Sequence, residues 1–143
     1  MLGVTDGGSS ILQVQRLLAV LATGRRVAEA GTAFGEGAAS MAQAARSVVT
    51  VELDPERAAI AARRLEPLAN VELLVGDWRE LLPPRGPFEL LFLDAGGFKH
   101  APAAAEGLVL GLLEPAGLLV MDDLTPGWSG FDPVRDWRTA TPC

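Results

Sequence analysis

The 143-residue sequence contains one cysteine, one lysine, one histidine and no tyrosine. Its single cysteine, Cys143, cannot form a disulfide within the chain, so nothing in the sequence indicates an oxidising compartment. No apolar run approaches the ~18 residues that a membrane-spanning helix needs, and the first residues lack the basic segment of a secretion signal. We therefore expect a cytoplasmic protein that does not cross a membrane.

Positive charge is scarce as well. Twelve lysine and arginine residues stand against 18 acidic residues, and the net charge is −6. Because nucleic-acid-binding domains usually carry a basic patch, this balance argues against a nucleic-acid partner. Hydrophobic residues make up 49% of the chain and charged residues 21%, which is typical of a globular protein. No repeat or long linker divides the sequence, so we expect a single domain over residues 1–143.

Short apolar runs alternate with helical patterns along the chain. Five runs have the apolar and β-branched character of buried strands: residues 27–30, 48–53, 71–75, 88–93 and 118–121. The clearest helix start is at Asp54-Pro55-Glu56, where an acid precedes a proline, and Ser9 or Ser10 is expected to cap the first helix. This alternation predicts an α/β fold with a doubly wound, mainly parallel sheet, in which the carboxyl ends of the strands share one edge.

Each predicted strand ends in a glycine-rich turn or an acid. The first leads into residues 29–37, EAGTAFGEG, where glycine allows positive φ and close approach of a ligand. The second ends at Glu52, whose carboxylate can accept hydrogen bonds from both hydroxyls of a ribose. The third ends in Gly76-Asp77-Trp78, which offers a carboxylate to an adenine amine and a ring to cover the base. Because the last two strands also end in acids, we expect a ligand site along this edge.

The order of these motifs resembles that of class I S-adenosylmethionine-dependent methyltransferases. In detail the chain is similar to the small bacterial O-methyltransferases related to the catechol and caffeoyl-CoA enzymes, over roughly residues 12–126. The resemblance implies a Rossmann-like methyltransferase fold, S-adenosylmethionine as the cofactor and O-methylation of a small-molecule hydroxyl. The sheet of this class usually closes with an antiparallel hairpin, whereas here only five strands are found, the final hairpin is missing and residues 124–143 read as an irregular tail.

The resemblance also implies which residues bind the cofactor. In the family, the first-motif glycines and the acid before them line the methionine part, the second acid holds the ribose and the third motif contacts the adenine. The matching positions are Glu29, Gly31, Thr32, Ala33, Gly35, Glu52, Leu53, Asp77, Trp78 and Asp94. Alanine stands at position 33, where the family commonly has glycine. We expect its methyl group to tighten the turn or weaken cofactor binding without abolishing the fold.

Metal-dependent members of the family bind a divalent cation through acids after the fourth and fifth strands. This implies Asp94, Asp122 and Asp123 as ligands of Mg²⁺, and the alternative is that Asp94 contacts the cofactor while one of the others caps a turn. The family also places a lysine after the fourth-strand aspartate, so Lys99 is the candidate general base. His100 is the other candidate, because imidazole titrates near neutral pH, and both side chains are alternatively plain loop residues. Asp94, Lys99 and His100 are the expected catalytic residues.

Two further functions stay open at this stage. The missing final strands and Ala33 favour a non-catalytic module that binds S-adenosylmethionine or another protein. A nicotinamide-dependent dehydrogenase would share the glycine turn and the later acid, but the first motif is not Gly-x-Gly-x-x-Gly. An uncovered fifth strand would leave an apolar edge, so we expect a homodimer or a chain truncated relative to its relatives.

Overall fold

The computed structural model describes residues 10–95 and 102–122, which form one sheet with helices packed against it. The strands are β1 (Arg26–Ala30), β2 (Ser47–Glu52), β3 (Val71–Val75), β4 (Phe88–Leu93) and β5 (Leu113–Met121). The helices are α1 (Leu12–Ala22), α2 (Glu36–Ala42), α3 (Pro55–Leu65), α4 (Trp78–Leu81) and α5 (Pro102–Gly111). Every pairing between described strands is parallel, in the order β3-β2-β1-β4-β5. For the part of the chain that the structure describes, the predicted α/β sheet of five parallel strands is confirmed.

Helices cover both faces of this sheet. Consecutive residues of a strand point to opposite sides, so Val27 packs on one face and Ala28 on the other. The first face packs against α1, α2 and α3, and its buried side chains include Leu18, Ala22, Val27, Ala38, Met41, Val48, Ala61, Leu65, Leu90 and Phe92. The second face packs against α4 and α5, and its buried side chains include Ala28, Ala30, Val51, Trp78, Leu82, Leu91, Leu93, Val109 and Leu112. Burial on both faces explains why the strands read as continuous apolar runs.

Helix α3 begins as its sequence predicts. Asp54 is the N-cap, and its carboxylate accepts hydrogen bonds from the backbone amides of Glu56 (2.8 Å) and Arg57 (3.4 Å). Pro55 occupies the first turn, where no backbone amide is needed. The cap and the proline place the start of α3 directly after the end of β2.

Helix α1 begins differently from the prediction. Its N-cap is Ile11, which makes no side-chain cap bond, so the prediction that Ser10 caps this helix is wrong. The Ser10 hydroxyl instead donates to Oδ2 of Asp122 (3.1 Å), at the end of β5. Because that partner lies 112 positions away in the chain, only the tertiary structure could reveal it. Ser9, the alternative cap, lies outside the described residues.

Strand β5 is longer than its apolar run indicates. It starts at Leu113, which pairs with Phe88, and the next regular pair joins Leu118 to Leu90. The extra residues between these pairs make an irregularity, where Ala116 takes a positive φ of 65°. The sequence pattern misses this part of β5 because a bulge interrupts the alternation of side chains.

The described sheet has β3 and β5 as its edge strands. Val75 on β3 is 55% exposed and Leu118 on β5 is 36% exposed. Within residues 10–95 and 102–122, no helix is both long enough and apolar enough to cross a membrane.

Candidate functional site

The carboxyl ends of the five strands are joined laterally by backbone hydrogen bonds. Each bond runs from an amide just beyond one strand to a carbonyl at the end of its neighbour: Gly31 to Val51 (2.9 Å), Gly76 to Glu52 (2.9 Å), Asp94 to Ala30 (2.9 Å) and Asp122 to Leu93 (3.3 Å). These bonds bring the predicted residues of all five strand ends to one edge of the sheet. The structure thus assembles the part of the predicted site that lies among the described residues.

The turn between β1 and α2 depends on positive φ angles. Gly31 has φ +99°, and a Cβ placed on it would lie 2.9 Å from the backbone nitrogen of Ala95 and 3.0 Å from the carbonyl carbon of Asp94. Any side chain there would collide with the backbone beyond β4. Gly35 (φ +85°) is the N-cap of α2. Ala33 also takes a left-handed φ of 48°, at a strain of about 1 kcal/mol that glycine would avoid.

Glu52 holds this turn from the end of β2. Its Oε2 accepts a hydrogen bond from the backbone amide of Ala33 (2.7 Å), and its Oε1 accepts one from the amide of Asp54 (3.0 Å). The residue is only 7% exposed. Each carboxylate oxygen can accept two hydrogen bonds, so with its partners among residues 10–95 and 102–122 each oxygen keeps one further acceptor position. Leu53, the next predicted site residue, is 73% exposed.

Glu29 is a buried carboxyl group on β1, 1% exposed. Its Oε2 lies 2.5 Å from the hydroxyl of Thr50. Burial raises the pKa of Glu29 to about 8; the hydrogen bond from Thr50 opposes this, and the charges of Asp94 and Glu52 add to it. Its Oε1 packs so closely on Gly37 that a Cβ at that position would collide with it.

The β3 end is more exposed. Asp77 caps α4, accepting a hydrogen bond from the backbone amide of Arg79 (2.9 Å), and its carboxylate pairs with the guanidinium of the same arginine. These hydrogen bonds from Arg79 lower the pKa of Asp77. Trp78 is 7% exposed and packs in the core on the second face of the sheet. The roles of Asp77 and Trp78 toward an adenine stay predictions.

The predicted metal and catalytic residues are described only in part. Asp94 and Asp122 follow the neighbouring strands β4 and β5, whereas Lys99, His100 and Asp123 lie outside the described residues. Within residues 10–95 and 102–122, no group of three or more metal-binding side chains comes together. The metal site and the general base therefore stay predictions.

Thr50 was not among the predicted site residues. It is fully buried on β2, opposite Glu29 in the register of the β1–β2 pair. Threonine is common in strands, so its occurrence in the apolar run 48–53 gives no signal of a site. The role of Thr50 in the site depends on its pairing with Glu29 on β1, and the sequence does not reveal this register.

With this geometry in place, comparison with known proteins defines the class. Residues 28–124 match the family described as "Methyltransferase domain", and the chain belongs to that family. The dehydrogenase alternative is therefore set aside. Family membership also agrees with the strand order and the glycine turn described above.

Individual relatives are similar over most of this chain. A protein-L-isoaspartate O-methyltransferase of Pyrococcus abyssi is 31% identical over 122 residues, which cover 83% of this chain and 54% of the relative. This chain thus spans about half the length of that curated relative. Among solved structures, the O-methyltransferase TomG from Streptomyces achromogenes, in complex with SAM, aligns with a TM-score of 0.76 at 27% identity, over 94% of this chain and 70% of TomG. Cofactor-bound Rv0187 from MTB also gives a TM-score of 0.76 at 27% identity, over 92% of this chain and 68% of Rv0187. The Rossmann-like methyltransferase fold is confirmed.

Proposed function

We propose that this protein binds S-adenosylmethionine at the carboxyl ends of its parallel strands and methylates an oxygen of a small-molecule acceptor. The observation that carries the proposal is the position of Glu52, which holds the glycine-rich turn and, as far as the described part of the chain goes, keeps an acceptor position on each carboxylate oxygen. Two acceptors side by side suit the two hydroxyls of a ribose. Family membership and the two similar structures with bound cofactor support the same choice.

The charge of the site also fits this cofactor. Glu29, Glu52 and Asp94 lie close enough for the charges of Glu52 and Asp94 to raise the pKa of Glu29. The negative charges of Glu52 and Asp94 favour a cationic ligand over an anionic one. When bound, S-adenosylmethionine supplies a methyl group already activated by the positive sulfonium. The protein then has to align the acceptor and remove its proton.

Among the cofactor residues, Glu29, Gly31, Thr32, Ala33 and Gly35 would surround the methionine part. Glu52 and Leu53 would hold the ribose, and Asp77 with Trp78 would contact the adenine. For the chemical step we keep Asp94 with Lys99 or His100 as the catalytic residues. Mg²⁺ on Asp94, Asp122 and Asp123 would orient the acceptor oxygen.

The oxygen acceptor is favoured by the relatives. The Pyrococcus protein is named for O-methylation of protein L-isoaspartate, and TomG is an O-methyltransferase involved in tomaymycin synthesis. An acceptor screen should therefore compare phenolic small molecules with a peptide that contains L-isoaspartate. If only the peptide is methylated, the acceptor is a protein and the proposal of a small-molecule acceptor is wrong.

The remaining expectations concern the whole molecule. We propose a single domain over residues 1–143, a homodimer, a cytoplasmic location and no nucleic-acid partner. The homodimer is supported by the apolar side chains exposed on the two edge strands of the described sheet. Sedimentation equilibrium of the purified chain would test it, and a monomer at all concentrations would contradict it.

The central experiment is calorimetric titration of S-adenosylhomocysteine into the purified chain, with and without Mg²⁺. We expect micromolar binding, and Glu52→Gln should weaken it by about tenfold or more, because hydrogen bonds to a charged group are lost. Glu56→Gln is the matched control, since this exposed residue on α3 undergoes the same change of charge. Its affinity should equal that of the unchanged chain.

The result separates the two functions that remain. Binding followed by methyl transfer to any acceptor in the screen supports the enzyme. Binding without transfer to any acceptor favours the non-catalytic module, and well-folded protein that binds no S-adenosylhomocysteine contradicts the cofactor site. Full turnover in the presence of a chelator would exclude the metal.

A further inference from the structure

Three buried oxygen-bearing side chains form a continuous hydrogen-bonded chain beneath the glycine-rich turn. The hydroxyl oxygen of Thr50 lies 2.5 Å from Oε2 of Glu29 and 2.6 Å from the hydroxyl oxygen of Thr32. All three residues are at most 3% exposed. Thr32 belongs to the turn itself, and its backbone amide donates to the carbonyl of Val51 on β2 (3.1 Å).

Counting the protons shows that the hydrogen bonds between these three side chains can run in two directions. A threonine hydroxyl has one proton to donate. When Glu29 is charged, Thr50 donates to it, and Thr32 must then donate to Thr50. When Glu29 carries its proton and donates it to Thr50, Thr50 donates to Thr32, and the proton of Thr32 is left for another partner. A proton on Oε2 of Glu29 therefore decides whether the Thr32 hydroxyl donates to Thr50 or is available to another partner.

The surroundings of Glu29 favour a change of protonation near neutral pH. On β4 its neighbour in register is Phe92, and on α2 the close contact is Gly37, neither of which titrates. Among the described residues, the charged groups that act on it are Asp94 after β4 and Glu52 at the end of β2. Burial, with these two like charges, raises the pKa of Glu29 to about 8.

We propose that Thr50 is a positioning residue that links Glu29 to Thr32 and thereby orients the hydroxyl of the glycine-rich turn. The link between the three side chains is a property of the fold alone, and its effect on ligand affinity rests on the proposed function. When Glu29 is charged, the Thr32 hydroxyl donates its proton to Thr50, and its oxygen can accept a hydrogen bond from a donor such as an ammonium group. When Glu29 is neutral and donates to Thr50, the hydroxyl proton of Thr32 is available to an acceptor.

The test uses two substitutions of Thr50 and one control. Thr50→Val keeps the shape of the side chain and removes the hydroxyl, whereas Thr50→Ser keeps the hydroxyl. The control is Thr23→Val, because Thr23 is exposed after α1 and its hydroxyl donates to the carbonyl of Ala19 within the same segment (3.3 Å). Thr32→Val is a further variant, which breaks the chain at its other end.

The first measurement needs no ligand. Carbon-13 NMR of the Glu29 carboxyl group, followed against pH, reports its titration in the folded protein. We expect Thr50→Val to move the midpoint to higher pH, because the hydrogen bond from Thr50 lowers the pKa of Glu29. Thr50→Ser and Thr23→Val should leave the midpoint unchanged. An unchanged midpoint in Thr50→Val would overturn the proposal.

The second measurement is the affinity for S-adenosylhomocysteine across the same pH range. Thr50→Val and Thr32→Val should each weaken binding by about tenfold and flatten its pH dependence, with Thr50→Ser within about twofold of the unchanged chain. If Thr50→Ser binds as poorly as Thr50→Val, the methyl packing of Thr50 is responsible and the proposal fails. A third outcome is that neither the variants nor the unchanged chain bind S-adenosylhomocysteine, while the NMR midpoint of Glu29 moves as expected. In that case the proposed cofactor site is wrong and the link between Thr50 and Glu29 is supported. Should Thr50→Val not fold, Thr32→Val carries the test: binding about tenfold weaker with a flattened pH dependence supports the proposal, and binding equal to that of the unchanged chain overturns it.

Discussion

The strand ends of β1 and β2 differ from that of β3, although all three carry an acid in a similar sequence setting. Glu29 and Glu52 are at most 7% exposed, and each binds a group from another segment: Glu29 binds the hydroxyl of Thr50 on β2, and Glu52 binds the backbone amide of Ala33 after β1. Asp77 is more exposed and binds Arg79, two residues further along the chain. The sequence thus gives the position of an acid at a strand end, whereas its pKa and its hydrogen bonds depend on the groups that the fold packs around it.

The largest expected effect concerns pH. The pKa of Glu29 is raised from 4.5 to about 8, so between these values the folded state holds a proton that the unfolded state has released. Stability should therefore fall as pH rises from about 4.5 to about 8, by several kcal/mol in total, and then level off. Urea unfolding at several pH values measures this, and Glu29→Gln should remove the slope.

Asp77 should behave in the opposite way. Its pKa is lowered below 3.8, chiefly by the hydrogen bond from Arg79, so its contribution to stability is present above that value and is lost as pH falls through the folded pKa. In Asp77→Asn the slope between pH 4.5 and 8 should remain as in the unchanged chain. If stability still falls between pH 4.5 and 8 in Glu29→Gln, Glu29 is not the source of this slope, and the strand ends of β1 and β3 do not differ in the way described.

The second effect compares glycines at these strand ends. Gly31→Ala should lower the free energy of unfolding by about 3 kcal/mol, because the new Cβ meets backbone atoms and φ is positive. Gly76→Ala also has positive φ (+144°), but its Cβ meets the tip of the Leu81 side chain at 3.0 Å, which can move. We expect a loss of about 1 kcal/mol there. Equal losses in urea unfolding would show that backbone strain alone matters at both ends.

The smallest effect is expected at Ala33. Ala33→Gly removes the strain of a left-handed alanine but adds flexibility to the unfolded chain, so the gain in stability should be about 0.5 kcal/mol. Thermal unfolding should show a Tm higher by one to two degrees, on the order expected for this change. A lower Tm would mean that the methyl group of Ala33, which is 8% exposed, contributes more through packing than its conformation costs.

Much of the architecture was predictable from local patterns. The apolar runs 71–75 and 88–93 coincide with β3 and β4, and Asp54 caps α3 as its sequence indicates. The hydroxyl of Ser10 and the irregular start of β5 were not predictable, because each depends on a partner distant in sequence. The same holds for Thr50, whose role depends on the register between β1 and β2.

The sequence by itself determined that strands and helices alternate, that the sheet is parallel and that a glycine turn and several acids lie at one edge. These features depend on periodicity and on right-handed connections, which are local or general rules. Only the tertiary structure decided that Glu52 holds the turn through the amide of Ala33 and that Glu29 is buried beside Thr50. The physical reason is that hydrogen bonding and the pKa of a carboxyl group depend on desolvation and on neighbours from other strands, which come together only in the folded chain.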